Sequence, residues 1–222
     1  MSKKILKTVI GIILSPLLIG VSFAFYEQFG KIEIFLTKGQ QYFLGGIITY
    51  CLIQLFLIKP VFLYVLGHET VHALAVWLCL GKVTSFKISS SGGSVSASKS
   101  NLFISLSPYF IPIYAILLMI TYYVMNNIFS WKLLTPLYFM FLFGMMLAFH
   151  IVMTVDTLKT RQPDLIKVGY LTSLVLIYVV NLTIVSGVFE LLFKGFSFLY
   201  FLNNSYFISI DIYKLIFKQL FL

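Results

Sequence analysis

Residues 61–78 read Val-Phe-Leu-Tyr-Val-Leu-Gly-His-Glu-Thr-Val-His-Ala-Leu-Ala-Val-Trp-Leu, an apolar run interrupted by His68, Glu69, Thr70 and His72. At 3.6 residues per turn, His68 and His72 fall on one face of the helix that this run predicts, and Glu69 is offset from them by about 100°. Two imidazoles four residues apart can each aim a ring nitrogen at one ion roughly 2.0–2.1 Å away, the bonding that zinc prefers. Glu69 then stands beside the ion, where it can take a proton from water and pass it to a leaving amine. The H-E-x-x-H spacing therefore makes His68 and His72 candidate metal ligands and Glu69 a candidate catalytic base.

A lone histidine in an apolar helix commonly does no more than hydrogen-bond to a neighbouring helix. Three adjacent ionisable groups require a stronger compensation. An unpaired carboxylate deep in a bilayer costs several kcal/mol, with about 3 kcal/mol assigned to a central aspartate on the insertion scale. A bound dication is the simplest group to offset that cost.

The rest of the chain places this helix in a membrane. Of 222 residues, 60% are hydrophobic and 10% are charged, too few polar groups to cover a soluble core. A helix crosses the hydrocarbon layer with about 20 mainly apolar residues. Candidate spans cover residues 6–26, 41–58, 60–81, 102–125, 133–155 and 167–190. The expected fold is an all-α polytopic membrane protein of about six transmembrane helices, with a short β-hairpin after the motif helix. Two N-terminal spans occupy 1–59, the membrane core carrying the motif occupies 60–190, and 191–222 form a tail that reads as an interfacial helix or a loose seventh segment. The run that follows Lys3, Lys4 and Lys7 reads as a retained first span, because no small-residue cleavage site follows it.

Sixteen Lys and Arg against seven Asp and Glu give a net charge of +9. In a chain this apolar the cations serve short loops facing anionic lipid, and nucleic acid is not an expected partner. Alternating six spans across the bilayer puts equal numbers of cations on both sides, so charge alone leaves the orientation open. Cys51 and Cys79 both fall in apolar segments, which points to buried thiols and no disulfide framework.

Two links between spans carry information. Residues 82–101 combine a β-prone run with Gly92-Gly93 and a second alternation through Val95 and Ala97, which reads either as a β-hairpin or as a Gly/Ser linker. Residues 156–167 hold Asp156 and Asp164, an acidic cluster at a membrane boundary. A catalytic zinc usually takes three protein ligands plus water, so one more is needed. Asp164 follows Pro163 at a helix start, where a chain end can dip inward, although the same position suits an N-cap. Asp156 is the reserve ligand. His150 is a candidate for transition-state support or for packing among aromatic side chains.

The series Gly67-His68-Glu69, His72-Ala73, Gly81, Val83-Thr84-Ser85-Phe86 and Gly92-Gly93 resembles the site-2-protease family of intramembrane zinc metalloproteases, in particular its small bacterial branch. The resemblance covers about residues 60–190. It implies that His68, His72 and a later aspartate bind Zn2+, that Glu69 activates water, and that peptide bonds of membrane-embedded or membrane-adjacent protein substrates are cut. It also implies that residues 83–97, with Gly92, Gly93 and Val95, present an edge to the substrate by strand addition. A multi-pass location in the bacterial cytoplasmic membrane follows, with the site opening toward the cytoplasm. Many relatives carry the aspartate in a Leu-Asp-Gly triplet, which is missing here; Gln162-Pro163-Asp164-Leu165 stands in its place.

A helical substrate hides its carbonyls and must unwind before it is cut. Pro108, Pro112 and Gly45-Gly46 either loosen helices to admit it or serve packing. Two other functions use the same residues: a non-catalytic zinc-binding membrane protein that holds clients, or a metal transporter. An intact Glu69 argues against the first. The scarcity of polar residues in the other spans argues against the second. The sequence does not set the oligomeric state.

Overall fold

The structure is a computed structural model and describes residues 3–33, 36–57, 59–89, 92–128 and 134–221. In chain order these form α1 (Lys3–Leu14), α2 (Pro16–Phe29), α3 (Lys38–Phe56), α4 (Val61–Leu78), β1 (Val83–Ser89), β2 (Gly92–Ala97), α5 (Leu102–Leu106), a 3-10 turn (Ser107–Tyr109), α6 (Ile113–Asn127), α7 (Pro136–Leu158), α8 (Pro163–Val168), α9 (Tyr170–Leu192) and α10 (Phe198–Phe221). The chain forms two compact units, residues 36–162 and residues 1–35 with 163–222.

In the 36–162 unit, α3 and α7 are the most closely packed helix pair. Local sequence fixes where both begin. Thr37 and Gln40 form a reciprocal capping box at α3, and Thr135 caps α7, whose first residue is Pro136. Two glycines let the helix backbones touch. A Cβ at Gly46 would stand 1.9 Å from the Phe141 carbonyl oxygen, and one at Gly144 would stand 2.1 Å from that of Phe43. Small residues at a helix crossing are the usual means of such close approach between apolar helices. Gly46 thus serves packing. Beside this pair, Tyr50, Tyr64, Ala148, Phe149 and Met153 form a buried cluster that ties α4 to α3 and α7.

The motif helix α4 starts directly after Pro60 and ends at a turn in which Leu80 takes a positive φ of 55°. The Gly81 amide closes that turn on the Val76 carbonyl at 2.8 Å. The following segment is a hairpin: β1 and β2 pair antiparallel with Phe86 opposite Val95 and Ile88 opposite Gly93, and the register is irregular between Val83 and Ser85. The linker alternative for 82–101 is thereby excluded for the two strands. The residues joining them, 90 and 91, lie outside the described residues.

The 102–125 stretch is one apolar segment in sequence but not one straight helix. α5 with the 3-10 turn meets α6 at 75°. Pro108 sits in the 3-10 turn and Pro112 at the head of α6, so two consecutive turns lack the amide that would continue the helix.

Among the described residues, four helical segments are long and apolar enough to cross a membrane: Ile5–Phe29, Val61–Leu78, Pro136–Leu158 and Tyr170–Leu192. The bent pair raises the number to five if it counts as one span. Six spans are therefore not reached among these residues. The 41–58 stretch does form a helix, α3, but Gln40, Gln41, Gln54 and paired glycines dilute its apolar run. Residues 58 and 133, at the margins of two expected spans, lie outside the described residues.

In the other unit, α2 packs along α10, and α1 and α2 pack on α9. Gly20 admits Ser205 and Ser209 of α10, with a Cβ there landing 2.0 Å from the Ser209 hydroxyl. Glu27 accepts hydrogen bonds from Tyr200, at 2.8 Å, and from Asn204, while Lys31 lies over the Tyr200 ring. The C-terminal tail is thus a helix of 24 residues seated on α2, with Phe201 fully buried. Cys51 and Cys79 are free thiols.

Candidate metal centre

His68 and His72 stack one turn apart on α4, and their ring centroids are 4.9 Å apart at an interplanar angle of 78°. His72 is buried, and its Nδ1 lies 2.8 Å from the carbonyl oxygen of Ile104. A carbonyl can only accept, so Nδ1 carries the proton and Nε2 is the nitrogen with the lone pair that a metal would take. Ile104 is held in turn by Asn101, the N-cap of α5, whose side chain accepts the Ile104 amide at 2.7 Å. The short helix after the hairpin therefore orients a candidate metal-ligand histidine on α4.

The His68 and Tyr109 rings form a T-shaped pair, with centroids 4.9 Å apart and planes at 86°, and the Tyr64 ring lies 5.7 Å from that of His68. The ring is fenced by aromatic groups, which restricts its rotation. Imidazole nitrogens suit a borderline ion, and His68 and His72 could supply two ligands to a metal. Asp164 is the second residue of α8, in the other compact unit.

Glu69 is buried, with 7% of its surface exposed, and faces the hairpin. A Cβ on Gly93 would stand 2.5 Å from its Cγ and 2.9 Å from its Oε1. The other residues expected at the hairpin differ in their surroundings. Gly92 has a φ of +146°, and a Cβ there would meet nothing within 4 Å; Val95 is half-buried opposite Phe86.

His150 of α7 is buried and lines, with His68, a small pocket. Tyr64, Val71, Pro108, Ile111, Tyr114 and Phe149 supply most of its other walls. Tyr114 lies over Gly67, 2.7 Å from where a Cβ would be, and its hydroxyl donates to the Leu63 carbonyl at 2.5 Å. This explains the glycine immediately before His68: a side chain at 67 would push Tyr114 out of the pocket wall.

Asp156 stands among cations. Its carboxylate bonds to the ammonium groups of Lys59 at 2.8 Å and Lys159 at 3.1 Å, at the end of α7. Sequence spacing did not point to Ile104, Asn101, Tyr109 or Tyr114. A backbone carbonyl acceptor leaves no trace in residue type. Tyr109, by contrast, sits between two helix-breaking prolines that place it in a turn.

No family model, curated protein or solved structure matches the chain.

Proposed function

We propose that this chain is an intramembrane zinc metalloprotease that hydrolyses peptide bonds of membrane-embedded or membrane-adjacent proteins. The observation that carries the reading is the stacking of His68 and His72 one turn apart on α4, 4.9 Å between ring centroids, with a buried Glu69 on the same helix. A catalytic zinc takes three protein ligands and keeps a position for water, and in this reading Asp164 supplies the third. The apolar spans supply the membrane setting, in this reading the bacterial cytoplasmic membrane.

When bound, Zn2+ would supply the Lewis acidity that polarises a peptide carbonyl and makes water acidic enough to lose a proton near neutral pH. The protein's own residues do the rest. Nδ1–H of His72, held by Ile104, fixes one ligand's tautomer and direction. Glu69 takes the proton of the attacking water and returns it to the departing amine nitrogen. His150, which shares the pocket wall with His68 and Tyr64, donates to the oxyanion that develops on the carbonyl. Each strand of the two-stranded hairpin has an outer edge on which an unwound substrate segment can lie extended.

The test is Glu69→Gln in purified protein reconstituted with a membrane-spanning peptide. Cleavage falls at least about 1,000-fold while zinc content stays at the wild-type level, because a general base is lost and no ligand is removed. Undiminished cleavage in that variant would end the enzymatic reading.

A further inference from the structure

The hairpin touches the proposed base through a residue without a side chain. Gly93 lies in β2 opposite Ile88, and a Cβ there would stand 2.5 Å from Glu69 Cγ, 2.9 Å from Oε1 and 2.9 Å from Val65 Cγ1. A Cβ contact below 3.0 Å is essentially never seen, and Glu69 Cγ is the middle of the side chain, not a free end that can swing aside. Gly93 is not among the glycines at positive φ, unlike Gly92. The backbone at 93 therefore accepts any L-residue, and what requires glycine there is the room taken by Glu69.

Helix geometry makes the contact consequential. Glu69 directly follows His68, so its side chain leaves α4 at about 100° from the histidine face and needs a boundary on its far side to bring the carboxylate back toward the ligands. β2 supplies that boundary. Its distance from α4 at position 93 is one methyl group short of what any other residue would impose. The hairpin is closed at its base, where the Ser98 amide bonds to the Lys82 carbonyl at 2.9 Å and the Ser98 hydroxyl accepts the Lys82 amide at 2.8 Å. Lys99, next in sequence, donates to the carbonyl of Cys79, the residue that ends α4, at 3.1 Å.

Resting on the protease reading above, we propose that Gly93 is a positioning residue for Glu69: by lacking a side chain it lets β2 lie against the glutamate and sets where the carboxylate stands relative to the histidine pair. Its role is toward the enzyme's own base and differs from a contact with substrate. A displacement of about 1 Å at a reacting group can cost on the order of 100-fold in rate, and that is the scale of effect expected from one added methyl.

The experiment has two arms on the full-length protein. In the first, Gly93→Ala is assayed for cleavage of a membrane-spanning peptide and for bound zinc. A kcat lower by about 100-fold, with KM and zinc content unchanged, is the expected result. In the second, melting temperatures are measured after chelation for wild type, Gly93→Ala, Glu69→Ala and the double variant. The methyl at 93 lowers the melting temperature when Glu69 is present and has little effect when Glu69→Ala has removed Cγ and the carboxylate. A raised KM with unchanged kcat would assign Gly93 to substrate contact and overturn the proposal. Equal melting shifts in both backgrounds would overturn it too. If wild type binds zinc and cleaves nothing, the protease reading fails, and the melting cycle still decides whether Gly93 sets the glutamate.

Discussion

In the proposed function His68, Glu69 and His72 carry the chemistry, and an aspartate completes the ligand set. Asp164 is the proposed ligand, while Asp156 already accepts from Lys59 and Lys159. An exposed ion pair of that kind contributes about 0–1 kcal/mol to stability, so its loss is mild. Asp164→Ala therefore lowers bound zinc to a small fraction of wild type, and Asp156→Ala leaves it near full occupancy, as read by metal analysis of the purified proteins. The reverse pattern would make Asp156 the ligand. The placement of His68 and His72 on one face was legible in the sequence because helix periodicity alone fixes it. A third ligand was not, since an aspartate after Pro163 is chemically the same whether it caps a helix or reaches a metal. The Ile104 carbonyl that orients His72 was invisible for a different reason: any residue type supplies it.

At the scale of elements, the helix carrying His68 and His72 is positioned by how closely its neighbours pack. Tyr50 of α3 and Phe149 of α7 meet edge to face at 5.5 Å, and both belong to the buried cluster around Tyr64 of α4. The α3 and α7 backbones approach at Gly46 and Gly144, where an added methyl would sit 1.9 and 2.1 Å from a carbonyl oxygen of the facing helix. No side-chain rotation relieves a clash with backbone. Gly144→Val should therefore force α7 away from α3 and destabilise the 36–162 unit by roughly 1–3 kcal/mol, the usual cost of overpacking. Thermal denaturation of the solubilised protein checks this, and a variant as stable as wild type would mean that the helices do not touch there. The hairpin and the break at Pro108 and Pro112 were readable because glycine and proline act on the backbone locally. The crossing at Gly46 was open to two readings, because a glycine in an apolar helix looks the same whether it loosens the helix or admits a neighbour. The helical α3 resembled a span in outline, yet its glutamines bring it short of the apolar length of α7 or α9.

For the molecule as a whole, apolar helix surfaces have to coexist with His68, Glu69 and His72, and on the proposed function metal binding is what links them. Ile5–Phe29, Val61–Leu78, Pro136–Leu158 and Tyr170–Leu192 present long apolar surfaces, and one of these four also carries His68, Glu69 and His72. A ligand that binds the folded state alone stabilises it by RT ln(1 + [L]/Kd), about 4 kcal/mol at a thousand-fold excess over Kd. A preformed metal site rarely exists in an unfolded chain, so on the proposed function this linkage applies to the folded protein. Adding zinc to chelator-treated wild type should therefore raise its melting temperature by several degrees, saturating with occupancy. His68→Ala/His72→Ala keeps the helix, since alanine is its best former, but removes both proposed histidine ligands, and its melting temperature should not respond to the same zinc. Magnesium, which prefers oxygen ligands, should raise neither. Equal zinc shifts in wild type and the double variant would place the metal elsewhere on the protein, and the buried Glu69 would then need another explanation for standing in an apolar helix.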